Sequence, residues 1–269
     1  MKTRVITAAV LIPVMLVILL GLPKVVAALI WGAMMAIGAY ELLYRTGFVK
    51  EPRLVVYACV MAFAVTMWSF LDAVHAYLVL MLMVFAAVYF AEMMMSHVKI
   101  TFDKVCLCIV AGFLVPFLLS SLIRILSMKI GRYIILIPFV VAFASDSGAY
   151  FAGRYFGKHK LSPVISPNKT VEGAVGGILC AIVCMVIYGL VMQLLKFRVN
   201  YFAAILYGLV GSVAGIFGDL CFSVIKRQTG IKDYGNLIPG HGGILDRFDS
   251  MCMVGPLVEV LLLLMPIVS

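Results

Sequence analysis

The sequence predicts an all-α protein that crosses a lipid bilayer many times, and three observations carry that expectation. Apolar residues make up 65% of the 269 positions and charged residues 12%, against roughly half and a quarter in water-soluble domains. The apolar residues run unbroken for about the 20 residues that a spanning helix needs. The runs are also continuous, not alternating in segments of about ten as in a membrane β-barrel. Helix is the default for such runs, because lipid offers no partner to an unpaired backbone amide or carbonyl.

Nine spans follow in order, at about 5–22, 25–45, 54–71, 74–95, 104–127, 132–152, 171–195, 201–225 and 251–268. The first imitates a secretory signal, with Lys2 and Arg4 ahead of an apolar run. No small-residue cleavage site follows it and further spans do, so it reads as a retained helix. Basic residues set the orientation. Of the 21 Lys and Arg, six (Lys24, Arg124, Lys129, Arg132, Lys196 and Arg198) fall on one side and the other fifteen on the opposite side. The N-terminus and both long loops are therefore expected in the cytoplasm and the C-terminus outside. The net charge of +9 is mostly this asymmetry, and it also suits anionic lipid or nucleotide. Nothing points to nucleic acid.

The seven cysteines, Cys59, Cys106, Cys108, Cys180, Cys184, Cys221 and Cys252, fall nearly all inside apolar runs. None has zinc-site spacing with nearby histidines, so they read as small packing residues without disulfides.

The two halves differ. Residues 1–130 read as an N-terminal region of ordinary spans and short loops. Glu41, Asp72, His75 and Glu92 sit near span ends, where water is close, and Met93 to Met95 read as lipid-facing or packing sulfur. Residues 131–269 read as a catalytic transmembrane region with two long cytoplasmic loops, about 153–170 and 226–250. Loops of that length inside a compact unit are usually functional.

Polar groups concentrate in and around those loops. Asp219 lies within the eighth span, where an isolated carboxylate costs a few kcal/mol unless paired, hydrated or metal-bound. Helical spacing places Ser212, Gly215, Asp219, Ser223 and Lys226 near one face. Gly208, Gly211, Gly215 and Gly218 form an adjoining stripe that admits a neighbouring helix. Asp246 and Asp249, three apart, face the same way on a helical turn. Such hard oxygen ligands suit Mg²⁺, which takes one or two carboxylates and completes its shell with water and phosphate oxygens. The turn "PGHGG" before them has glycines, Gly242 and Gly243 among them, that permit close backbone approach to a ligand. His241 reads equally as ligand, proton carrier or loop anchor. Asp146 lies near the cytoplasmic end of the sixth span. Ser166 or Thr170 could cap the seventh helix, whose positive N-terminal end favours an anion. Glu172 is in its first turn, and Gly173 and Gly177 make a packing step.

Together, Asp146, Asp219, Asp246 and Asp249 are candidate cation ligands, and Lys169, Lys226, Arg227, Lys232 and Arg247 candidate anion binders. These are the parts of phosphoryl or nucleotidyl transfer. There is no Walker A motif, kinase glycine loop or nucleophile elbow. A membrane setting suggests that one substrate is a lipid.

The stretch "SVIKRQTGIKDYGNLIPGHGGILDRFDS", residues 223–250, closely resembles the signature of the phosphatidate cytidylyltransferase (CDP-diacylglycerol synthase) family. Ser223, Lys226, Arg227, Lys232, Asp233, His241, Gly242, Gly243, Asp246, Arg247 and Asp249 match its fixed positions. The stretch "SDSGAYFAGRYFGKHKLSPVISPNKTVEG" resembles a second well-kept region, and the likeness covers roughly 140–255. The resemblance implies an enzyme of phospholipid biosynthesis that joins CTP and phosphatidate into CDP-diacylglycerol and pyrophosphate with Mg²⁺. It also implies a dimeric, multi-span protein of the inner membrane. On this expectation Asp219, Asp246 and Asp249 hold one or more cations. Asp219, Lys226, Asp246 and Asp249 carry the catalysis. Asp146, Lys169, Ser223, Arg227, Lys232, His241, Gly242, Gly243 and Arg247 bind substrate. The alternatives are a CTP-using lipid kinase of the dolichol kinase type and an ion-coupled transporter. The transporter predicts inverted repeats, which the sequence does not show.

Overall fold

The computed structural model describes residues 13–71, 74–96, 99–237 and 242–268. Among them, seven helices are long and apolar enough to cross a membrane: α1 Lys24–Arg45, α2 Pro52–Leu71, α3 His75–Met95, α4 Phe102–Ser127, α5 Gly131–Phe156, α6 Val171–Leu194 and α7 Tyr201–Gln228. The protein is an all-α polytopic integral membrane protein.

The expected ninth span is shorter than its apolar run. Helix α8, Met251–Leu264, has 14 residues, which rise about 21 Å against a hydrocarbon core of about 30 Å. Pro266 explains the stop, because the residue before a proline is pushed out of helical dihedrals, and Met265 has φ −147° and ψ 79°. Of the expected first span, the described part from residue 13 to 21 is helical; Lys2, Arg4 and the rest lie outside the described residues.

The chain divides into two compact units, Met1–Arg132 with Gln228–Phe248, and Tyr133–Arg227 with Asp249–Ser269. The charged segment after α7 thus groups with the N-terminal helices.

In the first unit α1 packs along α2. Gly32 makes the approach possible: a Cβ there would lie 2.8 Å from the Phe63 ring. Trp31 of α1 is fully buried. It donates Nε1–H to the Leu119 carbonyl of α4 at 3.2 Å and meets Phe248 edge-on at 5.0 Å. Several polar side chains inside the apolar unit find partners, whereas the buried Trp68 Nε1 and Ser121 Oγ have no hydrogen-bond partner among the described residues. Ser120 donates to Thr66 Oγ1 at 3.1 Å, and Arg124 donates to Ser69 Oγ at 3.0 Å while lying over the Phe117 ring. The cations assigned to one side of the membrane share one end of the unit: Lys24 reaches the Ser127 carbonyl and Arg132 the Leu22 carbonyl. Helix α3 turns nearly its whole apolar surface outward, with Tyr89 its buried residue among those described.

In the second unit α5 and α6 pack closely through small residues. A Cβ on Gly173 would lie 2.8 Å from the Ala149 carbonyl, one on Gly177 2.7 Å from the Ser145 carbonyl, and one on Gly148 would collide with Cys180. The Gly173–Gly177 step is therefore a packing device, as expected. The stripe on α7 serves three neighbours: Gly208 faces Ile182 of α6, Gly211 faces Val141 of α5 and Gly215 faces Val254 of α8. All seven cysteines are free thiols.

The expected loop at about 153–170 has regular structure. Helix α5 continues to Phe156, and β1 (Lys160–Ser162) pairs antiparallel with β2 (Ser166–Thr170). The second loop begins later than expected, because α7 runs through Gln228 and carries Lys226 and Arg227 in its last turn. That end of a helix bears partial negative charge, which favours cations.

Candidate active site

Asp219 is placed by α7 two turns before the helix ends. Ser223, one turn on, donates its hydroxyl to Asp219 Oδ1 at 3.1 Å, and Lys169 of β2 forms an ion pair with Asp219 Oδ2. The hairpin thus delivers Lys169 to the α7 carboxylate. Its setting is fixed at the next residue: Thr170, not Ser166, caps α6, accepting the Gly173 amide at 3.1 Å. Glu172 fastens the other strand. Its carboxylate accepts the backbone amides of Lys158 at 3.1 Å and His159 at 3.2 Å and meets His159 Nδ1 at 2.6 Å. Arg227 donates Nε–H to the Ile165 carbonyl at the hairpin tip, 3.1 Å away.

Asp249 comes to the same helix by a different route. At Gly218 a Cβ would lie 2.9 Å from the Asp249 carbonyl oxygen and 3.2 Å from that of Ser250. The bare backbone there lets the start of α8 rest directly against α7. The Asp249 side chain is only 16% exposed, and its Oδ2 lies 4.0 Å from Lys226 Nζ. Burial, and then the charge of Asp219, push the Asp249 carboxyl up to about 7; Lys226 and the Ser250 amide pull the other way, and the charge of Asp146 on α5 adds to the rise. In the second unit, then, Asp219, Asp249, Lys226, Lys169 and Ser223 form one cluster, with exposed Asp146 in electrostatic range.

This donor set fits Mg²⁺. Two carboxylates on adjoining elements are the usual protein share of its shell, and hard oxygens are its preferred ligands. Among the described residues no group of three or more His, Cys, Asp or Glu side chains is gathered as a metal cage.

The rest of the motif belongs to the first unit. Asp246 lies in the helical turn Leu245–Phe248 and is buried, and its Oδ2 accepts the amides of Tyr234 at 2.8 Å and Gly243 at 2.9 Å. Gly242 has φ +81°, and a Cβ there would lie 2.6 Å from Asp246 Oδ2; both the dihedral and the space demand glycine. Lys232 and Arg247 are exposed, and His241 lies outside the described residues.

One acid that the sequence assigned to a wet span end is instead at the heart of this segment. Glu41 is 3% exposed, and its two oxygens accept the amides of Ile244 and Leu245, each at 3.1 Å. No local pattern reveals this, since the partners are 203 and 204 positions away. The other span-end residues are ordinary: Glu92 accepts from the Tyr57 hydroxyl at 2.9 Å and His75 stands edge-on to Trp68. Asp72 lies outside the described residues.

Comparison with known proteins meets this geometry. Curated proteins named phosphatidate cytidylyltransferase are similar to the chain. That of Bacillus subtilis (strain 168) is 46% identical over 165 residues, 61% of this chain and 60% of the relative. That of Staphylococcus epidermidis (strain ATCC 35984) is 51% identical over 133 residues, 49% of each. That of Staphylococcus haemolyticus (strain JCSC1435) is 46% identical over 135 residues, 50% and 51%. In the staphylococcal matches the chain spans about half the length of the curated relatives. The profile described as Cytidylyltransferase family matches far more, residues 2–265. A match from one end of the sequence nearly to the other makes this chain a member of the cytidylyltransferase family.

Proposed function

We propose that this protein transfers the cytidylyl group of CTP to phosphatidate, forming CDP-diacylglycerol and releasing pyrophosphate. One observation carries the reading: two carboxylates, Asp219 and Asp249, held beside Lys226 and Lys169 on an apolar, membrane-spanning framework. Family membership and the names of the relatives support it.

The reaction is a direct displacement. A phosphate oxygen of phosphatidate forms a bond to the α-phosphorus of CTP. The bond from that phosphorus to the oxygen bridging to the β-phosphate breaks, and pyrophosphate leaves with the electron pair. The attacking phosphate is already an anion, so no protein nucleophile enters. Asp219 and Asp249 would hold Mg²⁺, which supplies positive charge against phosphate oxygens when bound. Asp246 remains a candidate ligand on the strength of the family motif alone; within the first unit its Oδ2 accepts the Tyr234 and Gly243 amides. Lys226 and Lys169 add fixed positive charge near the reacting phosphates, and Arg227 adds more from the last turn of α7; Lys232 and Arg247 remain anion-binding candidates on the strength of the family motif. Positioning and charge neutralisation supply most of the catalysis in such transfers.

We place the site on the cytoplasmic side of the cytoplasmic membrane, in keeping with the distribution of Lys and Arg. The family resemblance supports a homodimer. The test is to incubate purified protein with phosphatidate, Mg²⁺ and CTP labelled at either the α or the γ phosphate. Label from the α position is expected in lipid, with γ label released as pyrophosphate. Lipid labelled from the γ position would instead make the protein a lipid kinase.

A further inference from the structure

We propose that Glu41, with Arg45 one turn later, is a positioning residue that holds the described motif residues 235–237 and 242–248 in their working shape from the end of α1. The role rests on the cytidylyl-transfer reading above.

Three consecutive amides of the motif are taken up by carboxylates. Gly243 donates to Asp246, and Ile244 and Leu245 donate to the two oxygens of Glu41. A buried carboxylate is tolerated only when its oxygens are hydrogen-bonded, and here each has a backbone donor. The surroundings are built for the fit. A Cβ on Gly235 or on Gly243 would strike the Glu41 carboxylate, and one on Gly38 would lie 3.2 Å from Leu245 Cδ2. Arg45 reaches the same segment at a second place: with the Asn236 side-chain amide turned so that its oxygen faces the guanidinium, the orientation that satisfies both of its ends, Arg45 Nη2 donates to that oxygen at 3.1 Å and the amide nitrogen donates to the Gly235 carbonyl at 2.8 Å. Glu41 and Arg45 are the first and last residues of a π-helical stretch, Glu41–Arg45. Two struts from one helix end therefore hold the described parts of this segment, one at 236 and one at 244–245. They fix the backbone that carries Asp246 and Arg247.

The test is Glu41→Gln in the full-length protein. Its size is unchanged, but in either orientation the NH₂ group confronts one backbone N–H, so one bond is lost and two donors are opposed. Amide hydrogen exchange of the peptide spanning 242–248 is expected to accelerate about tenfold or more. The kcat is expected to fall between about tenfold and a hundredfold, the scale of a misplaced reacting group, with KM for phosphatidate unchanged. Arg45→Ala, at an exposed position, provides a second variant that does not disturb the buried acid. It should accelerate exchange at 235–237 and lower kcat to a smaller degree. Glu92→Gln, on α3, should leave both readouts at wild-type values. Wild-type exchange in both clamp variants overturns the proposal, and so does faster exchange with unchanged kcat. Failure of the wild type to form lipid product would overturn the functional reading alone, because exchange still reports the clamp.

Discussion

The backbone oxygen of Asp249 fills the space that a side chain on Gly218 would need, at 2.9 Å from the position of its Cβ. Asp219 is the next residue on that helix, so a missing methyl group decides how near the two carboxylates come. Gly218→Ala should therefore lower cytidylyl transfer by about tenfold or more. Gly215→Ala, whose Cβ would meet the Val254 side chain at 3.2 Å and no backbone atom of the Asp249 segment, should leave most of it. Equal rates in a labelled-CTP assay of the two variants would contradict the assigned geometry.

The metal-free protein should lose stability as pH rises through the acid range. A carboxyl whose folded pKa is raised holds a proton that the unfolded chain releases earlier. Between the ordinary aspartate value, about 3.9, and about 7, the fold therefore binds the extra proton, and its stability falls with increasing pH. Thermal midpoints in detergent with a chelator present should decline across that interval. Asp249→Asn, neutral throughout, should flatten the decline.

Thr170 joins helix capping to site placement. Thr170→Ala removes the oxygen that accepts the Gly173 amide and should cost about 1 kcal/mol, read as a lowered thermal midpoint. Thr170→Ser keeps the oxygen and should keep most of the midpoint. Because Lys169 is the adjacent residue, the alanine variant should also lose activity while the serine variant retains it.

The long spans were legible because twenty apolar residues in a row need no partner to be understood. The length of the last span is not legible, because its apolar run continues through Pro266 while its helix does not. The hairpin is not legible, because its strands have three and five residues and the prolines Pro163 and Pro167 read as loop. Within the site, the neighbourhood of Asp219, Ser223 and Lys226 follows from helical spacing alone. The arrival of Lys169 and Asp249 does not, since each depends on a tertiary contact: a strand end for one, a bare glycine for the other. Glu41 was the hardest case. An acid near the end of an apolar run looks the same whether water or a distant loop receives it.

The first unit is discontinuous in sequence, and this has a consequence for synthesis. Its helices α1 to α4 leave the ribosome long before residues 228–248, which must wait for α5, the hairpin, α6 and α7. Until then the Glu41 carboxylate has been made without the amides that later solvate it, so the nascent chain carries a charged seat awaiting its occupant. Closing that seat is a late, long-range step in maturation, and a chain cut short before residue 244 would insert its early helices yet never complete the unit they begin.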